Sequence, residues 1–313
     1  MTRAFIFPGQ GSQTVGMGKA LADAFPVARA VFAEVDDALS QKLSRIMWEG
    51  PESDLTLTEN AQPAIMAASM AVIAILKAEG GLDLARYARL VAGHSLGEYS
   101  ALCAAGAFSL ADTARLLKIR GQAMQSAVPV GEGAMTALIG ADIETAEAVA
   151  AEAQAGGGIC VVANDNAPGQ VVISGSAAAL ARAADIAKAK GVKRAIPLSV
   201  SAPFHCPLMQ PAADVMRDAL AKVTIRPPAV PVLANVNAKE SAEPETIRRL
   251  LVEQVTGRVR WRESMLALRS LGVETTVEMG GSVLTGMIKR IDKELQAVSL
   301  DTPADIEAFA KTL

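Results

Sequence analysis

The stretch that decides the fold of this 313-residue chain is Leu90-Val91-Ala92-Gly93-His94-Ser95-Leu96-Gly97-Glu98. It reads as the end of an apolar strand, a Gly-His-Ser-Leu-Gly turn and the start of a helix. This order is the G-x-S-x-G nucleophile elbow, in which a serine occupies a strained turn between a strand and a helix. Side chains at the two glycine positions would collide with neighbouring backbone, so Gly93 and Gly97 are small. The pattern predicts a nucleophilic Ser95. The alternative is a small-residue turn that only packs a helix on a strand.

The same turn predicts a group that binds an oxyanion. The N–H of Leu96 lies where the helix begins, and N–H groups there have no partner within the helix. Earlier in the chain, an apolar strand at residues 4–7 leads into Gly9-Gln10-Gly11-Ser12-Gln13. This loop lacks the third glycine of a dinucleotide-binding fingerprint and the spacing of a P-loop. It is either a loop that presents N–H groups to the site or a plain turn.

A serine needs an adjacent base, and the chain contains only two histidines, His94 and His205. Neighbours of an elbow apex point away from it, so we expect His94 to line a pocket or to have a structural role. His205 lies between Pro203 and Pro207, a rigid mount, and is the predicted base. A buried histidine that bonds loop carbonyls is the alternative. No acid between Ser95 and His205 stands out, so either an acid outside the usual order or a neutral oxygen orients the imidazole.

Strands alternate with helices on both sides of the elbow. This alternation predicts an α/β fold with a hydrolase-like core and a mainly parallel sheet. One helix is expected at residues 20–39. Another is expected at residues 60–76, with Pro63 in its first turn, where the missing N–H does no harm.

The pattern changes after a break rich in proline and glycine at residues 129–133. The elements that follow read β-α-β-β-α-β, with a turn at residues 164–169, which is the ferredoxin-like order. We therefore expect an inserted ferredoxin-like (βαββαβ) subdomain at residues 131–198. The core is then discontinuous and comprises residues 1–130 and 199–313.

The composition excludes several classes of protein. Hydrophobic residues make up 51% of the chain and charged residues 20%, which indicates a sizeable core rather than disorder. A net charge of −3 provides no general attraction for nucleic acid or anionic membranes. The apolar run at residues 64–76 is too short to span a bilayer. The three cysteines lack C-x-x-C spacing and predict reduced thiols in a cytoplasmic protein, and the histidine pattern predicts no metal site.

The motifs that indicate a family are Phe7-Pro8-Gly9-Gln10-Gly11-Ser12-Gln13, Gln62-Pro63-Ala64, Gly93-His94-Ser95-Leu96-Gly97-Glu98, Arg120-Gly121-Gln122-Ala123-Met124, Gly133-Ala134-Met135, Ser201-Ala202-Pro203-Phe204-His205, Asn235-Val236 and Gln254. In these motifs the chain resembles the malonyl-CoA:acyl carrier protein transacylases of fatty-acid or polyketide synthesis, over nearly its whole length. That family has a hydrolase-like α/β core with an inserted ferredoxin-like subdomain. The chain departs from the family at Gly280-Gly281-Ser282, where Gly-Pro-Gly-Lys is usual, and we assign that loop no role.

The resemblance implies a role for each matching position. Ser95 accepts the acyl group and His205 is its base. The oxyanion hole consists of the N–H groups of Gln10 and Leu96. The remaining matches are Arg120, which binds the free carboxylate of malonate, Gln62, a pocket residue, and Gln254, whose backbone carbonyl orients the histidine.

The resemblance also implies a reaction in two halves. The serine attacks the malonyl thioester and CoA leaves, and the phosphopantetheine thiol of an acyl carrier protein then takes the malonyl group. Malonyl-CoA is a substrate, and no cofactor is bound permanently. The expected protein is a cytoplasmic monomer. Its carrier protein, being acidic, is expected to dock at the basic cluster Lys188, Lys190, Lys193 and Arg194, with a solvated helix end as the alternative.

Two other functions compete with this interpretation. The first is a serine esterase or thioesterase that uses the same elbow, which the missing triad acid and a buried arginine disfavour. The second is a non-catalytic subunit that docks carrier proteins, which the intact serine and histidine disfavour.

Overall fold

The computed structural model describes residues 2–200 and 202–313. Within them, ten strands form two sheets. The strands are β1 (Arg3–Phe7), β2 (Leu90–Gly93), β3 (Gly133–Ile139), β4 (Cys160–Ala167), β5 (Gln170–Ser176), β6 (Arg194–Pro197), β7 (Val232–Leu233), β8 (Glu240–Ser241), β9 (Thr275–Met279) and β10 (Gln296–Leu300).

Fifteen α-helices connect these strands within the described residues. They are α1 (Lys19–Ala24), α2 (Pro26–Leu39), α3 (Leu43–Glu49), α4 (Glu52–Thr56), α5 (Thr58–Gly80), α6 (Leu84–Tyr87), α7 (Gly97–Ala104), α8 (Leu110–Ser126), α9 (Ile143–Ala155), α10 (Ala177–Ala189), α11 (Gln210–Ala221), α12 (Pro244–Thr256), α13 (Trp261–Ser270), α14 (Val283–Ile291) and α15 (Pro303–Ala310).

The first sheet has the strand order β10-β9-β1-β2-β7-β8 and is parallel except for the edge strand β8. Successive residues of β1 show why both of its faces are covered. Phe5 and Phe7 join the large core cluster, whereas Ala4 and Ile6 join the cluster on the opposite face. The prediction of an α/β fold with a mainly parallel sheet is confirmed.

The carboxyl ends of the parallel strands meet at one edge of this sheet, where ligands bind in open α/β folds. Phe7 is in register with Gly93, and Ala92 with Leu233. The loops that follow β1, β2 and β7 therefore emerge side by side. They carry Gln10, Ser95 and Asn235, so the fold itself brings three distant parts of the chain together.

The second sheet is antiparallel, with the order β4-β5-β3-β6. This is the ferredoxin-like arrangement that the order of elements predicts. One face of the sheet carries Leu138, Val171 and Ile173, which pack with α9 and α10 in a separate core cluster. The other face turns toward the carboxyl edge of the first sheet.

We propose that residues 131–198 are an inserted subdomain and that residues 1–130 and 199–313 form the core. The separate hydrophobic cluster supports this division. The two parts are tied along β4. Arg262 of α13 binds the buried Asp165 carboxylate through Nε and Nη2, at 2.9 and 2.8 Å from its two oxygens. Asp165 also donates its N–H to the carbonyl of Val259.

Three predicted elements differ from the structure. The helix expected at residues 20–39 is interrupted at Phe25, because Pro26 disfavours a helical conformation in the residue before it. The helix expected at residues 60–76 begins two residues earlier, at Thr58, so Pro63 lies inside it rather than in its first turn. The turn expected at residues 164–169 is wrong in its first half, because β4 continues through two register shifts to Ala167.

The helix α5 is long and apolar enough to cross a membrane by length and composition alone. Most of it is buried against other parts of the chain, however, as the core helix of a globular fold would be. No other helix of the described residues passes that test.

Candidate active site

The turn between β2 and α7 holds Ser95 in a left-handed conformation, with φ of 53°. The flanking glycines make this possible. A Cβ on Gly93 would lie 1.9 Å from the carbonyl oxygen of Gly97, and a Cβ on Gly97 would lie 2.3 Å from that of Phe7. Asn235 accepts a hydrogen bond from the Ser95 N–H over 2.8 Å through Oδ1 and donates one to the Gly93 carbonyl over 2.7 Å. The strained turn is thereby fixed from the neighbouring strand end.

Ser95 and His205, 110 residues apart in sequence, form a hydrogen-bonded pair. Ser95 Oγ and His205 Nε2 are 2.9 Å apart, and His205 Nδ1 is 2.9 Å from the backbone oxygen of Gln254. A carbonyl only accepts, so Nδ1 carries the proton and Nε2 is left to accept the Ser95 hydroxyl. A neutral oxygen therefore occupies the place that an acid holds in most hydrolases.

The environment of His205 favours the neutral imidazole. Burial, followed by the positive charge of Arg120, lowers the pKa of His205 to about 3. The imidazole is therefore uncharged at neutral pH and available as a proton acceptor.

Arg120 on α8 is a buried cation, 1% exposed, that reaches the serine itself. Its Nη2 donates to Ser95 Oγ over 3.1 Å and to Gln254 Oε1 over 2.9 Å, while Nη1 donates to Gln62 Oε1 over 2.8 Å. Burial lowers its pKa, yet a guanidinium remains charged in proteins. Each of these acceptors is neutral, so the cation has no carboxylate in contact with it among the described residues.

Two backbone N–H groups beside the serine are unoccupied. Neither the N–H of Gln10 nor that of Leu96 has an acceptor among the hydrogen bonds of the described residues. Gly9 keeps their two loops in contact, since a Cβ there would lie 2.7 Å from the His94 carbonyl. The Gln10 side chain donates to Thr58 Oγ1 over 3.2 Å. The arrangement can bind an oxyanion formed at the serine.

A cavity of about 370 Å³ opens in front of Ser95. The second sheet forms one wall of it, through side chains that alternate along its strands. The cavity is lined there by Met135, Ala137, Asn164, Asn166, Gln170 and Val172. The remaining wall includes Gln62, Arg120 and His205 from the core. The inserted segment thus closes the site that the parallel sheet opens.

His94 lies on this wall and does not contact the serine hydroxyl. Its Nε2 is 2.8 Å from Asn166 Oδ1, and its ring packs against Trp261. Burial lowers its pKa. The sequence-based expectation of a pocket-wall role agrees with this position, although nothing in the sequence indicates the partner Asn166, which lies within the turn predicted at residues 164–169.

The predicted site residues divide into two groups. The structure brings together Ser95, His205, Gln10, Leu96, Arg120, Gln62 and Gln254. Lys193 and Arg194 lie outside the cavity, exposed at the start of the edge strand β6. Ser201 of the histidine motif lies outside the described residues. The described residues contain no group of three metal-ligating side chains.

Sequence reasoning assigned no role to two further residues of this network, Glu98 and Asn235. The signals available were an acid in the first turn of a helix that is otherwise apolar, and an asparagine directly after a strand end. Neither signal distinguishes a buried contact from a solvated one, because both residue types are usually found on the surface.

The serine lies in a strand-turn-helix elbow and pairs with a histidine at the carboxyl edge of a parallel sheet. This arrangement defines the class of α/β proteins that transfer acyl groups through a serine. A comparison of the sequence with protein families matches residues 4–299 to the family described as the acyl transferase domain. The chain belongs to this family.

Relatives of the chain are similar over their full length. A malonyl CoA-acyl carrier protein transacylase of Bacillus subtilis (strain 168) is 45% identical over 99% of this chain and 96% of its own. The crystal structure of an acyl-carrier-protein-S-malonyltransferase from Bartonella henselae is 55% identical, with a TM-score of 0.97 over 100% of this chain and 99% of its own. A malonyl-transacylase solved in complex with a type II PKS acyl-carrier protein is 42% identical, with a TM-score of 0.95 over the whole of both chains. The resemblance found in the sequence is confirmed.

Proposed function

We propose that this protein transfers the malonyl group of malonyl-CoA to the phosphopantetheine thiol of an acyl carrier protein. Ser95 carries the malonyl group between the two. The observation that carries the proposal is the contact of one serine hydroxyl with both a neutral histidine and a buried arginine. The first contact provides acyl transfer, and the second selects an acyl group that ends in a carboxylate.

The first half-reaction begins with the Ser95 hydroxyl donating its hydrogen bond to His205. His205 takes the proton as Oγ attacks the thioester carbonyl, and the N–H groups of Gln10 and Leu96 hold the oxyanion. The protonated imidazole then delivers the proton to the departing CoA thiolate. In the second half, His205 removes a proton from the carrier's thiol as the sulfur attacks the malonyl ester, and the imidazolium then returns that proton to the departing Ser95 Oγ.

Arg120 supplies the choice of substrate. A guanidinium binds a carboxylate through two parallel hydrogen bonds, stronger than its bonds to neutral amides. We infer that the malonyl carboxylate displaces Ser95 Oγ from Nη2 once the ester forms, with Gln62 and Gln254 still orienting the guanidinium. Burial and then the Arg120 charge hold the pKa of His205 down. The same carboxylate offsets the second of these causes, so the correct substrate also strengthens the base.

The docking surface for the carrier protein is proposed at Lys193 and Arg194. Neither side chain has an ion-pair partner among the described residues, whereas Lys190 pairs with Glu152. Arg194 lies four residues before Leu198, which lines the cavity on the same edge of the second sheet. An acidic carrier bound at these two residues would lie beside the cavity.

The proposal extends to the setting of the protein. It acts in the cytoplasm as a monomer, without a permanently bound cofactor, on malonyl-CoA and acyl carrier protein. Three buried thiols, Cys103, Cys160 and Cys206, are unpaired, which agrees with a reducing compartment.

Incubation with malonyl-CoA, followed by mass measurement of the intact protein, tests the function. A malonyl adduct that disappears when carrier protein bearing phosphopantetheine is added, with malonyl appearing on the carrier, is the expected result. Release of free malonate without a lasting adduct would instead identify a hydrolase. Neither adduct nor malonate would leave only a binding role.

A further inference from the structure

Glu98 is a buried acid in an unusual position. It lies in the first turn of α7, where acids normally face solvent and stabilise the helix dipole. Here the residue is 1% exposed, and its Oε2 accepts two hydrogen bonds from other parts of the core. The donors are the N–H of Asn235 at 3.0 Å and Nε2 of Gln254 at 2.8 Å.

The second of these bonds is the shortest of the three that Gln254 Nε2 donates, so it contributes most to the orientation of the Gln254 amide; the longest, at 3.5 Å, goes to Asn235 Oδ1. Its Nε2 also donates to the backbone oxygen of Ser95 over 3.0 Å, while Oε1 accepts from Arg120. The two ends of a glutamine amide have nearly the same shape and differ only in hydrogen bonding. An acceptor at Nε2 is therefore needed to keep Oε1, rather than the NH₂ group, facing the guanidinium.

Arg120 depends on that oxygen for its own position. Its other acceptors are Gln62 Oε1 and Ser95 Oγ, and its Nε is buried without a partner. Ser95 Oγ becomes an ester oxygen when the acyl group is attached, which leaves the two glutamine oxygens to orient the cation. A rotated Gln254 would direct its NH₂ group at the guanidinium and push it out of place.

We propose that Glu98 is a positioning residue for recognition of the acyl carboxylate, acting through the Gln254 amide on the Arg120 guanidinium. The inference rests on the proposed role of Arg120. It assigns Glu98 no part in proton transfer, because His205 is held by the backbone oxygen of Gln254 and not by its side chain. Loss of Glu98 therefore weakens the choice of malonyl over acetyl more than it weakens acylation itself.

The charge of Glu98 is not what this role requires. Burial raises its pKa to about 7, against the hydrogen bonds from Gln254 and Asn235 and the charge of Arg120, which lower it. The groups that can carry charge and that interact with it are Arg120 and Tyr99. An oxygen of a carboxylate, a carboxylic acid or an amide can accept both N–H bonds. A glutamine at this position should therefore preserve the orientation of Gln254.

The experiment compares kcat/KM for malonyl-CoA and acetyl-CoA in Glu98→Leu, Glu98→Gln and the wild type. Glu98→Leu should lower the malonyl-to-acetyl ratio about tenfold or more, the loss expected when a charge-assisted bond is misplaced. Glu98→Gln should keep the ratio within about threefold of the wild type. If Glu98→Leu does not fold, Glu98→Asp, which withdraws the carboxylate from Gln254, serves the same purpose and should lower the ratio.

Asp36→Asn is the matched control. Asp36 is also buried and accepts two hydrogen bonds, both from Ser44, but it belongs to α2 and does not line the cavity. It should change stability without changing the ratio. Gln254→Met supplies the second test. Because Glu98 acts through Gln254, Glu98→Leu should lower the ratio little further when Gln254 is already methionine.

An equal loss of malonyl and acetyl transfer in Glu98→Leu would overturn the inference, as would independent, additive effects of the two substitutions. The proposed function fails differently, since the wild-type protein itself would then form no malonyl adduct or show no preference for malonyl.

Discussion

Arg120 Nη2 lies 3.1 Å from Ser95 Oγ, so the most deeply buried cation of the site donates a hydrogen bond to the hydroxyl that we propose to carry the acyl group. In a malonyl ester on that oxygen, the free carboxylate is only a few covalent bonds from Oγ, and it therefore lies within reach of the guanidinium. The geometry thus links the place of attachment to the feature that distinguishes malonyl from acetyl. It also places a positive charge near His205 until a substrate carboxylate offsets it.

Arg120→Ala should reverse the choice of substrate. An acetyl group leaves the cation unpaired, and sites built around such a partner can reject the lacking analogue by roughly 10⁴. The variant should therefore lose malonyl transfer by about a hundredfold or more and gain relative activity on acetyl-CoA. Arg120→Lys should recover only part of the loss, because an ammonium cannot form two parallel bonds to a carboxylate. An unchanged malonyl-to-acetyl ratio of kcat/KM would remove Arg120 from the mechanism.

The rate of Ser95 acylation should depend on pH, and the fall of that rate on the acid side, its acid limb, should move to higher pH when Arg120 is replaced by alanine. Acylation needs neutral His205, whose pKa burial and the Arg120 charge lower to about 3. The rate of reaction with an uncharged sulfonyl fluoride should thus stay level as pH falls to about 5. Arg120→Ala removes the charge, so the limb should shift up toward the ordinary value of 6.5. The account is contradicted by a wild-type limb near pH 6.5 that Arg120→Ala leaves unmoved.

His205→Ala should slow the first half-reaction severely. Loss of one member of a nucleophile-base pair costs roughly 10⁴ to 10⁶ in rate. Rapid-quench measurement of malonyl adduct formation gives the rate directly. A loss below about tenfold would leave His205 with a structural role only.

Gly97→Ala should destabilise the fold, because its Cβ would lie 2.3 Å from the Phe7 carbonyl and 2.8 Å from that of Pro8. Such overlap with backbone costs about 3 kcal/mol or more. Gly286→Ala in α14 is the control, since its Cβ meets nothing within 4 Å. That substitution should stabilise the protein by up to about 1 kcal/mol. Urea unfolding of both variants measures the difference, and equal effects would refute the packing argument.

Charge reversal at Lys193 and Arg194 should raise KM for the carrier protein but not for malonyl-CoA. The effect should shrink as salt is added, because the attraction is between exposed charges. Lys311→Glu serves as the control, because Lys311 is an exposed lysine that lies outside the second sheet and its helices. If the carrier KM is unchanged in the double variant, docking takes place elsewhere on the surface.

The sequence predicted those parts of the fold that follow from local patterns. Apolar strands, the glycine-flanked Ser95 and the order of elements in the insertion were all readable, because each depends on neighbours in the chain. The end of β4 was not readable, since Asn164 and Asn166 resemble turn residues. Both residues nevertheless continue β4, because this part of the strand pairs with β5 on one side and with the backbone of Val259 on the other.

The sequence predicted which residues belong to the candidate site, but not the hydrogen bonds that join them. Ser95, His205 and Arg120 were identified by residue type, spacing and family resemblance. The Gln254 side chain, Glu98 and Asn235 form a network that joins α7, the end of β7 and α12, which are far apart in sequence. No local pattern encodes such contacts, so burial alone revealed that the acid of the elbow helix faces inward.

The most direct test of the central claim is to locate the acyl group. The protein is treated with malonyl-CoA, trapped, digested and mapped by mass spectrometry, beside the Ser95→Ala variant. The account predicts a malonyl group on the peptide that contains Ser95, lost on addition of carrier protein bearing phosphopantetheine, and no adduct in Ser95→Ala. A malonyl group on another residue, or an adduct of equal yield in Ser95→Ala, would contradict it.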